Sequence, residues 1–263
     1  MLGKLLKYDL KYMIKNMGVF YILAIVFSLL TRIFFAMKQT VIVGIIGQIC
    51  VGFMFAMIFS TIINTVIRSW VRFRDSLYKD EAYLTHTLPV TKKQIYESRF
   101  IQTLIFTIVG FVIVVISLFI AYYTEDRCIM LRNTINGLSS SLNLETVPFI
   151  ISIFVIVFLE IFNGIQSGFL GIIVGYRRDD NKLAFSVVFG FIIYIIFQGL
   201  VILFVFIVGL FNSNIMDLFR NTMVLDNSSI RLLIIMAILI YSIIIGVMNM
   251  LCCIELKKGV NIE

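Results

Sequence analysis

Histidine occurs once in these 263 residues, at His86, and tryptophan once, at Trp70. A single imidazole with no cysteine near it cannot complete a zinc-type metal site, so His86 reads as a solvated or protein-contacting side chain. Charge is scarce as well: 14% of the residues are charged, against about 25% in a typical soluble domain. Of the four cysteines, Cys50 falls inside an apolar run and Cys252 and Cys253 close the last one, which leaves Cys128 without a disulfide partner. No Gly-rich loop ends in Gly-Lys-Ser/Thr, so the chain carries no phosphate-binding loop. No carboxylate pair, metal cluster or nucleophile with its base stands in a water-accessible stretch, which argues against an enzyme. The first apolar run follows a long charged segment with no clear small-residue cleavage site, so no cleavable signal peptide is expected.

What remains is overwhelmingly apolar, with 60% hydrophobic residues and a mean hydropathy of +1.03. Six runs, at 18–37, 41–67, 100–123, 147–176, 183–211 and 230–256, reach the roughly 20 residues a helix needs to cross a hydrocarbon core. They are continuous, whereas strands of a membrane barrel would alternate. The expected fold is therefore an all-α integral membrane protein of six transmembrane helices. An amphipathic interfacial helix at 1–17 precedes a single membrane domain over 18–256, and a short tail, 257–263, follows it.

Lysine and arginine divide unevenly between the two ends of these runs. Lys4, Lys7, Lys11 and Lys15, seven residues within 68–99, Arg177, Arg178 and Lys182, and Lys257 and Lys258 fall on one side. Arg32, Lys38, Arg127, Arg132, Arg220 and Arg231 fall on the other. By the positive-inside rule both termini and the 68–99 loop are expected in the cytoplasm of a cell whose plasma membrane holds the chain. The connections 124–146 and 212–229 then face outside. The net charge of +7 is mostly this topology signal; nucleic acid is not an expected partner, because the basic residues lie along membrane borders with no reader motif.

The 68–99 segment is the longest that water would tolerate. Pro89 cannot continue a helix and pushes Leu88 toward extended backbone, while Thr91 and Gln94 have the spacing of a capping box. A helix is expected to start there and run into the third span, with Lys92, Lys93 and Arg99 in its exposed root. Before it, Ser76 to Thr87 is expected to form a short cytoplasmic helix crowned by Asp80, Glu81 and His86. At the amino terminus, Leu2, Leu6, Leu10, Met13 and Met17 share one helical face and the lysines another, the pattern of a helix lying along the inner leaflet or of a plain basic anchor.

Within the spans, Gly44, Gln48, Gly52, Ser60 and Asn64 break the second run, and ordinary helix packing explains them better than a substrate contact. The third run reads as polar-free, and so as lipid-facing or packed by shape alone. The fourth is the most informative: Glu160, Gly164, Gly168, Gly171 and Gly175 share a stripe bordered by Asn163 and Ser167, and Pro148 suits its first turn. A carboxylate inside a membrane costs at least about 2.5 kcal/mol at the helix centre, so Glu160 is not expected to face lipid. It either bonds a neighbouring helix or, with Gln48, Asn64, Asn163 and Gln198, belongs to a polar pathway. The segment after the fifth run, with Ile215, Leu218 and Met223, is either a short amphipathic helix or an ordinary loop.

The run AYLTHTLPVTKKQIYESR, with Leu88, Pro89, Val90, Thr91, Lys92 and Lys93, resembles the cytoplasmic loop of bacterial type-2 ABC transporter permeases, and the opening KLLKYDLKYMIK resembles their amino-terminal helix. This resemblance implies a dimerising membrane subunit, paired with a second copy or a similar permease and powered by a separate ATP-binding cassette ATPase that binds ATP and Mg. It places the ATPase contact on Lys4, Lys7, Lys11, Asp75, Leu77, Asp80, Glu81, Tyr83, Leu84 and His86. The expected activity is export of an amphipathic peptide or similar hydrophobic compound, or immunity to it. A secondary transporter, or a membrane scaffold without an ATPase, is the alternative. One intramembrane acid and the lack of repeated halves weigh against the former.

Overall fold

The structure is a computed structural model and describes residues 2–37, 40–79, 81–87, 89–123, 129, 132–137, 146–178, 180–216 and 227–258. Among the described residues all regular structure is helical. The helices are α1 (Leu2–Ala36), α2 (Val41–Tyr78), α3 (Ala82–Thr87), α4 (Lys92–Tyr122), α5 (Thr146–Gly175), α6 (Lys182–Phe211), α7 (Ser213–Met216) and α8 (Asn227–Lys257), with a further helical turn at 132–137. Six of them, Gly3–Ala36, Val41–Tyr78, Lys92–Tyr122, Val147–Gly175, Lys182–Phe211 and Ser228–Lys257, are long and apolar enough to cross a membrane.

The chain divides into two compact units. The first comprises Met1–Ser76 with Glu81–Leu131, and the second comprises Leu77–Asp80 with Arg132–Glu263.

In the first unit the backbones of α1 and α4 approach closely. Residues 1–17 are not a separate element there, as the amphipathic pattern suggested: α1 runs unbroken through Met17 to Ala36. Its lysine face is exposed, but Met13 and Met17 are buried with Phe106 of α4, packed by Leu10, Tyr12, Phe20 and Tyr21. The apolar face thus finds protein, and the helix runs on through Gly18 at the expected turn, with no proline there to break the hydrogen-bond ladder. Further along, Met54, Ile58 and Ala121 form a second cluster with Phe27, Val114, Leu118 and Tyr122, and the Phe27 and Phe53 rings stack at 5.2 Å. Gly47 is the glycine packed at the α1–α2 hairpin, 3.5 Å from the Phe35 ring for an added methyl, whereas a methyl on Gly52 would meet nothing.

α4 begins as its sequence dictates. Thr91 is extended, its hydroxyl accepts from the Gln94 N–H at 3.3 Å, and the Thr91 N–H donates to Gln94 Oε1 at 3.1 Å, completing the capping box. The segment before Pro89 is divided differently from the expected Ser76–Thr87 helix. α2 carries on to Tyr78, and only Ala82–Thr87 forms α3. A polar row at every fourth residue of α2, Thr61, Thr65 and Ser69, is buried and satisfies its hydroxyls on the carbonyls of the preceding turn as the helix passes the expected end of the span at Ile67.

In the second unit α5 lies against α6 and α8. Asn181 adopts left-handed backbone, φ 48°, which asparagine tolerates, and so turns the chain tightly from α5 into α6. Ile240, Ile244 and Met248 of α8 bury against Ile193, Phe197 and Val201 of α6. α7 packs back on α6, where Gly209 leaves room for Ile215 and Met216. Leu218 and Met223, Cys128, most of 124–146 and the tail beyond 258 lie outside the described residues.

Candidate functional site

Two polar constellations stand out, one in each unit. The first is built on Asp9, buried on the face of α1 that carries Met13 and Met17. Arg99 of α4 pairs with Asp9 Oδ1, Arg72 Nη2 of α2 donates to the same oxygen at 3.2 Å, and the Ser98 hydroxyl donates to Oδ2 at 2.7 Å. Arg99 Nε donates to the Ser76 hydroxyl at 3.1 Å, and the Arg72 guanidinium lies 4.4 Å over the Tyr12 ring. Arg72 Nη1 then reaches Glu81 Oε2 at 2.5 Å, immediately before α3. Two arginines and two carboxylates balance in charge. Asp9 and Arg99 are fully inside the protein, whereas Glu81 keeps 46% of its side chain exposed. The fixed part of the network therefore clamps α1, α2 and α4 together, and its exposed end holds the start of α3.

This changes the expected roles of several residues. Arg99 is not in a water-exposed root but buried, because Asp9 meets it there. Leu77, expected on a partner-contacting surface, is fully buried. Asp75 pairs with Arg74 at 2.7 Å, and Glu81 is committed to Arg72. Tyr83 is exposed, as are Lys4, Lys7 and Lys11. Asp80 and Leu88, and the side chains of Leu84 and His86, lie outside the described residues. Nor is α4 lipid-facing or packed by shape alone: Gln102, Thr103, Thr107 and Ser117 are buried along it, and a methyl on Gly110 would lie 3.6 Å from Thr65 of α2.

The second constellation surrounds Glu160 of α5. Its Oε1 accepts from the Tyr194 hydroxyl at 2.5 Å and from Gln198 Nε2 at 2.6 Å, both on α6, and the Tyr241 hydroxyl of α8 donates to Gln198 Oε1 at 3.3 Å. Glu160 and Gln198, singled out from the sequence, are thus brought together, and the two tyrosines complete the chain of hydrogen bonds. Asn163 is fully buried on the same helix. Gln48 is exposed on α2 of the first unit, and Asn64, on the same helix, donates to Ser60 one turn back.

The glycine stripe beside Glu160 is used selectively. A methyl on Gly171 or Gly175 would come within 3.0 Å of the backbone at Gly190 or Ser186 of α6, and Gly190 faces Gly168 as well. Gly164 is the exception: a methyl there would meet nothing within 4 Å. The close approach lies toward the carboxyl end of α5, where the chain turns into α6, and the helices open toward Glu160.

The chain matches no protein-family model, no curated protein and no solved structure.

Proposed function

We propose that this chain is the membrane-spanning permease subunit of an ATP-binding cassette exporter, driven by a separate ATPase that docks beside α3. The reading rests on the loop and amino-terminal segments that resemble type-2 ABC permeases. One structural observation supports it above others: the Arg72–Glu81 pair ties the start of α3 to the buried Asp9–Arg99 pair. A force applied to α3 by a docked partner passes through Arg72 to α1 and α4, two of the membrane-length helices, without needing a nucleotide site in this chain. α3 offers that partner the exposed ring of Tyr83, and aromatic side chains are frequent anchors of protein interfaces. The lysine face of α1 is also free for such a contact. In this reading both termini and α3 are cytoplasmic, the chain works beside a second permease copy or a paralogue, and the cargo is an amphipathic peptide or a similarly hydrophobic compound.

The test is affinity capture from the native membrane. The wild-type chain should retain an ATP-binding cassette ATPase, and Tyr83→Ala should lose it while keeping the wild-type melting temperature. A wild-type capture free of any such ATPase, or one undiminished by Tyr83→Ala, overturns the docking reading.

A further inference from the structure

The hydrogen bonds around Glu160 are one-sided. Tyr194 and Gln198 both donate to Oε1, whereas Oε2 is buried and takes no hydrogen bond. One turn along α5, Asn163 is fully buried with neither amide atom partnered, and Gln166, a further turn on and also fully buried, is in the same condition. Residues three apart on a helix lie side by side, about 5–6 Å between their β carbons, so Asn163 stands next to Glu160 on the helix surface. No Lys, Arg or His among the described residues pairs with Glu160.

Buried polar groups are nearly always satisfied, and an ionised carboxylate inside a membrane span is costly unless it is paired or faces a polar cavity. Here three oxygens on successive turns of α5, Glu160 Oε2, Asn163 Oδ1 and Gln166 Oε1, are buried without a hydrogen bond, and the formal charge among them is one. From this the geometry points to a binding site for a monovalent cation at Glu160 and Asn163, with Gln166 extending it. Oxygen donors of this kind hold hard cations and N–H donors, not soft metals. A divalent ion would leave an uncompensated charge in the span, whereas an alkali ion or a primary ammonium is neutralised. Glu160 as a residue is partly exposed, which puts the site at the margin of the helix packing, and the fully buried Asn163 supplies its inner wall.

The purified full chain in lipid nanodiscs tests this at fixed pH and ionic strength, with tetraethylammonium chloride, too wide and without N–H donors, as the background salt. Replacing it by sodium, potassium or ethylammonium chloride should raise the melting temperature in a saturable way. A rise with alkali ions alone identifies an inorganic ion, and one with ethylammonium alone identifies an amine-bearing ligand. Glu160→Gln, which keeps an acceptor for Tyr194, should abolish the rise, and Asn163→Leu should weaken the apparent affinity by at least about tenfold. A wild-type melting temperature indifferent to all three salts, or an equal rise in Glu160→Gln, overturns the site. Since no ATPase is present, the outcome is independent of the docking experiment.

Discussion

Asp9 and Arg99 meet as a buried ion pair, with 2% and 4% of their side chains exposed, on two helices that the sequence places far apart. Burying two charges gives little net stability, because the lost hydration offsets the attraction. What the pair supplies is register: Asp9 can satisfy Arg99, Arg72 and Ser98 together only in one alignment of α1, α2 and α4.

Removal of one partner should therefore be far more costly than removal of both. Asp9→Ala leaves two buried guanidinium groups facing each other, a loss on the order of 3–5 kcal/mol for a broken buried pair. Asp75→Ala, which frees only the partly exposed Arg74, should cost about 0–1 kcal/mol. The double variant Asp9→Leu with Arg99→Met should recover most of the loss. Melting temperatures of the purified variants decide this; if the double variant is as unstable as the sum of its single changes, the residues do not act as a pair.

The glycines of α5 should separate into two classes. At Gly171 a methyl overlaps the Gly190 backbone, which cannot swing aside as a side chain can, so Gly171→Ala should destabilise the α5–α6 hairpin. At Gly164 the methyl meets nothing, and the intrinsic preference of alanine for helices favours the variant by up to about 1 kcal/mol. Equal thermal stability for the two variants would show that α5 and α6 are not this close.

The contrast marks where the sequence was legible and where it was not. Six apolar runs, the capping box at Thr91 and Gln94 and the contact of Glu160 with a neighbouring helix follow from local pattern, since hydropathy and cap chemistry act over a few residues. α1 and α2 nevertheless run well beyond their apolar runs, because Lys and Arg are helix formers and charge alone does not end a helix. The Asp9 cluster was hidden for a different reason. Asp9 lies among exposed lysines in sequence, and only the packing of α1 on α4 turns it inward, away from them. Its one local signal is an acid on the face shared by Met13 and Met17, where a lipid-facing helix would place none. Nor could spacing tell which glycines of the stripe meet α6, since that depends on the angle at which the helices cross.

The capping box gives a smaller and more local effect. Thr91→Ala removes the acceptor for the Gln94 N–H, which should cost about 0.5–2 kcal/mol. The low end of that range is expected, because the box is exposed and water can replace the bond. Hydrogen exchange should accelerate at the first amides of α4 and remain unchanged around Phe106; loss of protection throughout α4 would mean that the cap controls the whole helix.

The orientation of the chain is tested by a thiol placed on α3. Ser76, near the end of α2, is fully buried and unsuitable, whereas Tyr83 keeps 64% of its surface exposed. With Cys50, Cys128, Cys252 and Cys253 replaced by serine, Tyr83→Cys gives one reactive position beside the predicted cytoplasmic loop. Sixteen of the 22 Lys and Arg residues lie on that side of the spans by sequence, and the positive-inside bias predicts that an impermeant maleimide will not reach the introduced thiol in intact cells. The same reagent should label it fully once the membrane is opened. A second chain, with only the native Cys128 retained, should give the opposite pattern, because that residue belongs to a connection on the far side of the third span. Labelling of the Tyr83→Cys chain in sealed cells would reverse the topology and place α3 beyond the reach of any cytoplasmic ATPase.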